Sequence, residues 1–100
     1  MNMQQMLMQA QKMQRELKKK LEALWNEEFE VTKSGAVKVV VLGNKTIKSV
    51  SIDEEALNKD DKEMVEELIV MAINEALKTI SEKEAAINEQ VTGRAGGFGF

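Results

Sequence analysis

The 100-residue chain contains no cysteine, no histidine and no proline. Without thiols or imidazoles it has no disulfide, no zinc site of the usual kind, and no Cys or His to serve as nucleophile, acid or base. Its clustered acids, Asp53, Glu54, Glu55, Asp60 and Asp61, lack the spacing and the glycine of a calcium loop. No glycine-rich phosphate loop sits between a strand and a helix. The expectation is a protein that is not an enzyme and takes no metal, cofactor or small-molecule substrate. No stretch approaches the roughly 20 apolar residues of a membrane span. Gln4, Gln5, Gln9, Gln11 and Gln14 interrupt the opening segment, which therefore does not read as a secretory leader. A cytoplasmic location without a membrane partner is expected. The missing proline leaves long helices uninterrupted and glycine to mark the turns.

Hydrophobic residues make up 43% of the chain and charged residues 31%, the profile of one folded domain. The net charge of −3 conceals an uneven distribution. Residues 1–20 carry +4, 21–32 carry −4, 33–52 carry +4 with no acid at all, and 53–100 carry −7. An acidic average is therefore compatible with local basic patches.

Met3, Met6, Ala10, Met13, Leu17, Leu21 and Leu24 recur at steps of three and four among good helix formers, which predicts a first helix from about Asn2 to Asn26 with a narrow apolar seam. Phe29–Thr32 alternates with period two, Lys33-Ser34-Gly35 reads as a turn, and Ala36–Leu42 as a Val-rich strand. Gly43-Asn44 then marks a second turn before a strand over Thr46–Ile52. With a two-residue second turn, Val37, Val39 and Val41 share a face with Val50 and Ile52, which Phe29 and Val31 join. Val40, Leu42 and Ile47 fall on the other face, too apolar to be left to solvent.

Asp53–Lys59 reads as a connector with a short helical turn, and Asp60 or Asp61 as the cap of a long second helix ending at Gly93. The apolar set of that helix, from Met64 through Leu68, Met71, Ile73, Ala76 and Leu77 to Ile80, is too wide for one stripe, so burial on more than one side is expected. Beyond Ser81 it narrows to Ile87 and Val91.

Two helices of roughly 37 and 45 Å do not fit within a compact fold of about 13 Å radius of gyration. The reading is α+β in the order α-β-β-β-α: a three-stranded antiparallel sheet from which both helices project as an antiparallel pair, the start of the first near the end of the second. Residues 1–92 form the domain and 93–100 a flexible Gly-rich tail. Apolar surface at the base calls for a homodimer, with Val40, Leu42, Ile47, Leu68, Met71 and Ile73 as candidate interface residues.

The chain resembles the YbaB/EbfC family of bacterial nucleoid-associated proteins. The resemblance rests on Met8-Gln9-Ala10-Gln11-Lys12-Met13-Gln14 in the first helix, and on Glu30-Val31-Thr32 before the Ser-Gly turn, Gly43-Asn44 and Val50-Ser51-Ile52-Asp53 in the sheet. It rests also on Asp60-Asp61-Lys62-Glu63-Met64-Val65-Glu66-Glu67-Leu68 and Ala72-Ile73-Asn74-Glu75-Ala76 in the second helix. It implies a homodimer with tweezer-like helical arms that binds double-stranded DNA in the nucleoid and influences nucleoid organisation and transcription, with no enzyme activity and no cofactor. Gly96-Gly97-Phe98-Gly99-Phe100 departs from the longer, Pro- and Met-containing tails of the family.

Lys12, Arg15, Lys18, Lys19 and Lys20 are the main candidate phosphate contacts, and they serve equally as a solvated face. Adjacent helical residues point about 100° apart, so Lys18, Lys19 and Lys20 do not all face one strand of DNA. Lys78, Lys83 and Arg94 are placed near the start of the first helix as a second candidate group. Lys33, Lys38, Lys45 and Lys48 read either as an electropositive sheet surface or as protection of strand edges. Trp25 and Phe29 are expected to anchor the first helix on the sheet. An alternative function is a protein-interaction module, in which the Met-rich first helix and the acidic second helix engage a DNA-repair or replication protein.

Overall fold

The computed structural model describes residues 2–93. Helix α1 covers Met3–Trp25. The side chain of Asn2 caps it by accepting the Gln5 N–H at 2.7 Å, satisfying one of the orphan donors of the first turn. Strands β1 (Glu28–Lys33), β2 (Val37–Leu42) and β3 (Ile47–Ile52) form an antiparallel meander in the order β1-β2-β3. Short 3-10 turns at Glu54–Ala56 and Lys59–Asp61 lead into helix α2, Lys62–Thr92. The expected α-β-β-β-α architecture and its antiparallel sheet are present.

The first turn closes through an Ala36 N–H to Lys33 carbonyl bond with Ser34 and Gly35 both at positive φ, the geometry whose twist matches a hairpin. The second differs from the two-residue turn expected. Lys45 adopts φ 72° as a third loop residue, its N–H bonds the Leu42 carbonyl, and the Asn44 side chain accepts the Thr46 N–H. A register shift follows at Val40/Val41. Together these leave Val50 and Ile52 on the face expected, though opposite Val39 and Val37, and pair Ile47 with Val41 instead of leaving it on the face of Val40 and Leu42.

α2 lies across β1 and β2 and touches β3 only slightly. Its residues Val65, Ala72, Ala76 and Ile80 are buried against Phe29, Val37, Val39 and Val41. The two alanines, one turn apart, let the helix approach the sheet closely. Leu24 is the residue of α1 buried in this core, whereas Trp25 remains 41% exposed, which corrects the expected Trp25 anchor. Trp25 contributes its backbone instead: its carbonyl accepts the Asn44 N–H, and that of Glu27 accepts the Gly43 N–H.

Past the sheet, α1 and α2 continue as an antiparallel pair with Val91 buried in it. The molecule measures 69 × 21 × 14 Å with a radius of gyration of 19.8 Å, so the helices do overhang the sheet. Gly93 is still right-handed helical, and its N–H bonds the Glu89 carbonyl, so no left-handed glycine cap ends α2 there. The proposed tail beyond it lies outside the described residues.

Candidate nucleic-acid interface

A cleft at the shoulder, lined by Lys20, Ala23, Leu24 and Asn26 together with Lys83, Ala86 and Ile87, fixes which turns of the two helices are level. The last two turns of α1 lie beside residues 83–87 of α2. At equal rise, Val91 then stands near Leu17, and the first three turns of α1 extend beyond the described end of α2. Every residue from Asn2 to Lys12 is exposed, as this geometry requires.

On α1, Lys12, Arg15 and Lys19 follow at i, i+3 and i+7 and so fall on one line. That line is roughly opposite the seam of Met13, Leu17, Leu21 and Leu24, and faces away from α2. None of the three has an ion-pair partner among the described residues. The two other cations of this helix are engaged. Lys18 lies 3.9 Å from Glu22, and Lys20 lies 3.4 Å from Glu16, each one turn away. The five-residue cluster thus divides into three charges on one line without an ion pair among the described residues and two that are paired within the helix.

Of the second candidate group, Lys78 and Lys83 are not near the start of α1. Lys83 sits at the shoulder, level with the last turns of α1. It pairs with Glu27 at 3.3 Å and lies 5.2 Å above the Phe29 ring. Lys78 lies lower still, on the part of α2 that covers the sheet, exposed and without an ion pair among the described residues. Arg94 lies outside the described residues. The sequence places these cations on α2 but not at a height along the arm, because the depth of the sheet decides how the helices align.

The acid-free strand region is neutralised by its surroundings. Lys33 meets Glu75 at 2.5 Å, Lys38 meets Glu30 at 3.4 Å, Lys45 meets Glu84 at 3.7 Å, and Lys48 pairs with Glu28. Carboxylates from β1 and α2 thus face each of the four lysines. Among the described residues no group of three or more acids is placed to hold a metal ion. No described helix is long and apolar enough to cross a membrane.

The sequence matches the model of the YbaB/EbfC DNA-binding family over residues 1–95. The chain belongs to this family. A nucleoid-associated protein of Ruminiclostridium cellulolyticum is 39% identical over 97% of this chain and 85% of its own length. One from Agathobacter rectalis is 44% identical over 96% and 86%. Among solved structures, the uncharacterized protein HP0035 from Helicobacter pylori superposes with a TM-score of 0.75 over 90% of this chain and 96% of that one, at 21% identity, which shows a shared fold.

This YbaB/EbfC chain also leaves apolar surface uncovered on the β3 side of α2. Glu75 and Glu84, nine residues apart and so about 180° apart around α2, pair with Lys33 of β1 and with Lys45 beside β3. Val70, Ile73 and Leu77 lie within about 40° of the Glu84 direction and therefore face the β3 side. There Val70 is 57%, Ile47 48% and Val50 43% exposed, while Ile73 and Leu77 are half-buried. β3 is also an edge strand with unpaired backbone groups.

The six candidate interface residues are divided among three surfaces. Ile47 and Ile73 belong to the β3 flank. Leu68 and Met71 lie on the Glu75 flank, toward β1. Val40 and Leu42 lie on the opposite face of the sheet, half-buried between the Lys38–Glu30 and Lys48–Glu28 pairs. Val50, Val70 and Leu77 complete the β3 flank. Sequence pattern marked all three as apolar; the position of α2 over β1 and β2 leaves the β3 side of the sheet open, while Met71 is 53% exposed on the flank toward β1.

Proposed function

We propose that this chain is a nucleoid-associated, homodimeric DNA-binding protein whose α1 arm contacts the phosphates of double-stranded DNA. The observation that carries this reading is the line of Lys12, Arg15 and Lys19, directed away from α2 and without carboxylate partners among the described residues. Charges not already compensated within the protein exchange DNA counterions most effectively, and three of them on one helix face follow one stretch of backbone. Membership of a DNA-binding family and the nucleoid-associated names of its relatives support the same reading. They also support action in the cytoplasm, at the nucleoid, on DNA organisation or gene expression.

Homodimerisation through the β3 flank completes the proposal. It covers Val50, Val70 and Ile47, pairs or shields the free strand edge, and brings two arms to one base in the manner of tweezers. The test is fluorescence anisotropy of a labelled duplex titrated with protein at several salt concentrations, with Lys12→Ala/Arg15→Ala/Lys19→Ala alongside. Binding that weakens with salt, and weakens in the variant, is the expected result. No binding at low salt overturns the reading. A second reading, docking to a DNA-repair or replication protein, draws on exposed Met3 and Met6 of the α1 seam and on exposed Leu7 beside it. It predicts a stable protein partner in a pull-down and negligible affinity for isolated DNA.

A further inference from the structure

The line that carries Lys12, Arg15 and Lys19 does not stop at Lys12. Continued toward the tip in steps of four and three residues, it passes through Met8 and then Gln5. Both are exposed, Met8 by 62%. Met8 differs from the other methionines of the helix in direction rather than in exposure, since Met3 is 86% and Met6 53% exposed. Met3, Met6 and Met13 prolong the seam that packs on α2, whereas Met8 points roughly the opposite way. A single exposed methionine is ordinary on a protein surface. Here it stands in register with a row of cations, on a segment from Asn2 to Gln11 that contains no charge.

Helical rise sets Met8 about 6 Å and Gln5 about 10 Å beyond Lys12 along the arm. The minor groove of B-DNA is about 6 Å wide, so a helix that holds a bordering phosphate with Lys12 presents its next outward residue over the groove itself. Methionine is slender, unbranched and adaptable, and it is among the apolar side chains that wedge between base steps from the minor groove. Glutamine carries both a donor and acceptors on one amide, and A·T pairs offer only acceptors in that groove. The uncharged tip reaches this position without stripping water from an ion.

Resting on the reading of α1 as the DNA-contacting element, we propose that Met8 and Gln5 form a groove-reading pair beside the phosphate contacts: Met8 wedges at a deformable base step, and Gln5 donates to A·T acceptors in the minor groove. Phosphate contacts fix register, and this pair supplies a preference for flexible, A·T-containing sites.

The test compares two duplexes of equal length, one A·T-rich with central TA steps and one G·C-rich without them, each with 2-aminopurine next to the central step. Wild type, Met8→Ala, Met8→Leu, Gln5→Ala and the Lys12/Arg15/Lys19 triple alanine variant are titrated over several salt concentrations, with helicity checked by circular dichroism. Wild type is expected to favour the TA duplex by about three- to tenfold and to raise 2-aminopurine fluorescence through unstacking. Met8→Ala and Gln5→Ala reduce that preference to within about twofold while the salt slope stays unchanged, and Met8→Leu retains it. A wild type with salt-sensitive binding but no preference overturns the inference. So does a preference that both alanine variants keep. In either case the phosphate-contact reading stands, provided the triple variant binds more weakly. No binding by wild type at low salt overturns both.

Discussion

Gly43 lies directly against the backbone of Leu24: a Cβ on Gly43 would stand 1.7 Å from the Leu24 carbonyl oxygen and 2.5 Å from its carbon. The end of α1 and the β2–β3 turn are therefore joined backbone to backbone, with the Gly43 and Asn44 N–H groups bonded to the Glu27 and Trp25 carbonyls. The neighbouring atoms are main chain and have no rotamer by which to move aside. Gly43→Ala is expected to destabilise the fold by at least ~2 kcal/mol, since the arm root must shift to admit one methyl group. Chemical denaturation checks this, with Gly35→Ala as a comparison in which the cost comes from φ 63° rather than from contact, because nothing lies within 4 Å of it.

Ile80 is fully buried where α2 leaves the sheet for the arm. Ile80→Ala removes about three methyl-sized groups from the core and leaves a cavity, so a loss of roughly 2–5 kcal/mol is expected in urea unfolding. Leu7→Ala, at a position 60% exposed, is expected to change stability by less than about 0.5 kcal/mol.

The lysines of the arm differ in what they have to lose. Replacing Lys12, Arg15 and Lys19 together is expected to reduce the magnitude of the salt dependence of DNA binding by nearly three units in a log–log plot, about 0.9 per phosphate contact. Lys83→Ala, which removes the pair with Glu27 and the contact with Phe29, is expected to leave that slope unchanged. Its effect falls on stability, by about 0.5–1.5 kcal/mol. Anisotropy across salt and thermal unfolding separate the two.

Val50→Lys and Val70→Glu each place a charge on the uncovered β3 flank, and Met71→Glu places one on the flank toward β1. Light scattering is expected to show a dimer for wild type and Met71→Glu, and a shift toward monomer for the first two. Circular dichroism establishes that all three keep their secondary structure. An unchanged mass for Val50→Lys and Val70→Glu sinks the β3-flank dimer, and a monomeric wild type sinks dimerisation itself.

Much of this organisation was legible in the residues. The seam from Met3 to Leu24 among good helix formers marks α1 to within a residue, because period and propensity agree. The alternation of Val37, Val39 and Val41 identifies the face that α2 covers. Ile47 was misassigned because Lys45 takes a backbone conformation that usually calls for glycine, and because the register then shifts. Period alone places Lys78 and Lys83 on a helix face. Their height relative to α1 depends on how many turns of α2 the sheet takes up. The positive segment from Lys33 to Lys48 looked like a patch only because the carboxylates facing it, Glu75 and Glu84 among them, are distant in sequence.

The residue of α1 that is fixed in the core is Leu24, and Met8 is sixteen residues away along the same helix, about 24 Å at helical rise. The arm is accordingly a lever with its fulcrum at the shoulder. A rotation of about 10° there carries the tip through about 4 Å, most of a minor-groove width. Side chains at the fulcrum, Lys20, Ala23 and Lys83 among them, thereby set where the tip points without ever meeting what it touches.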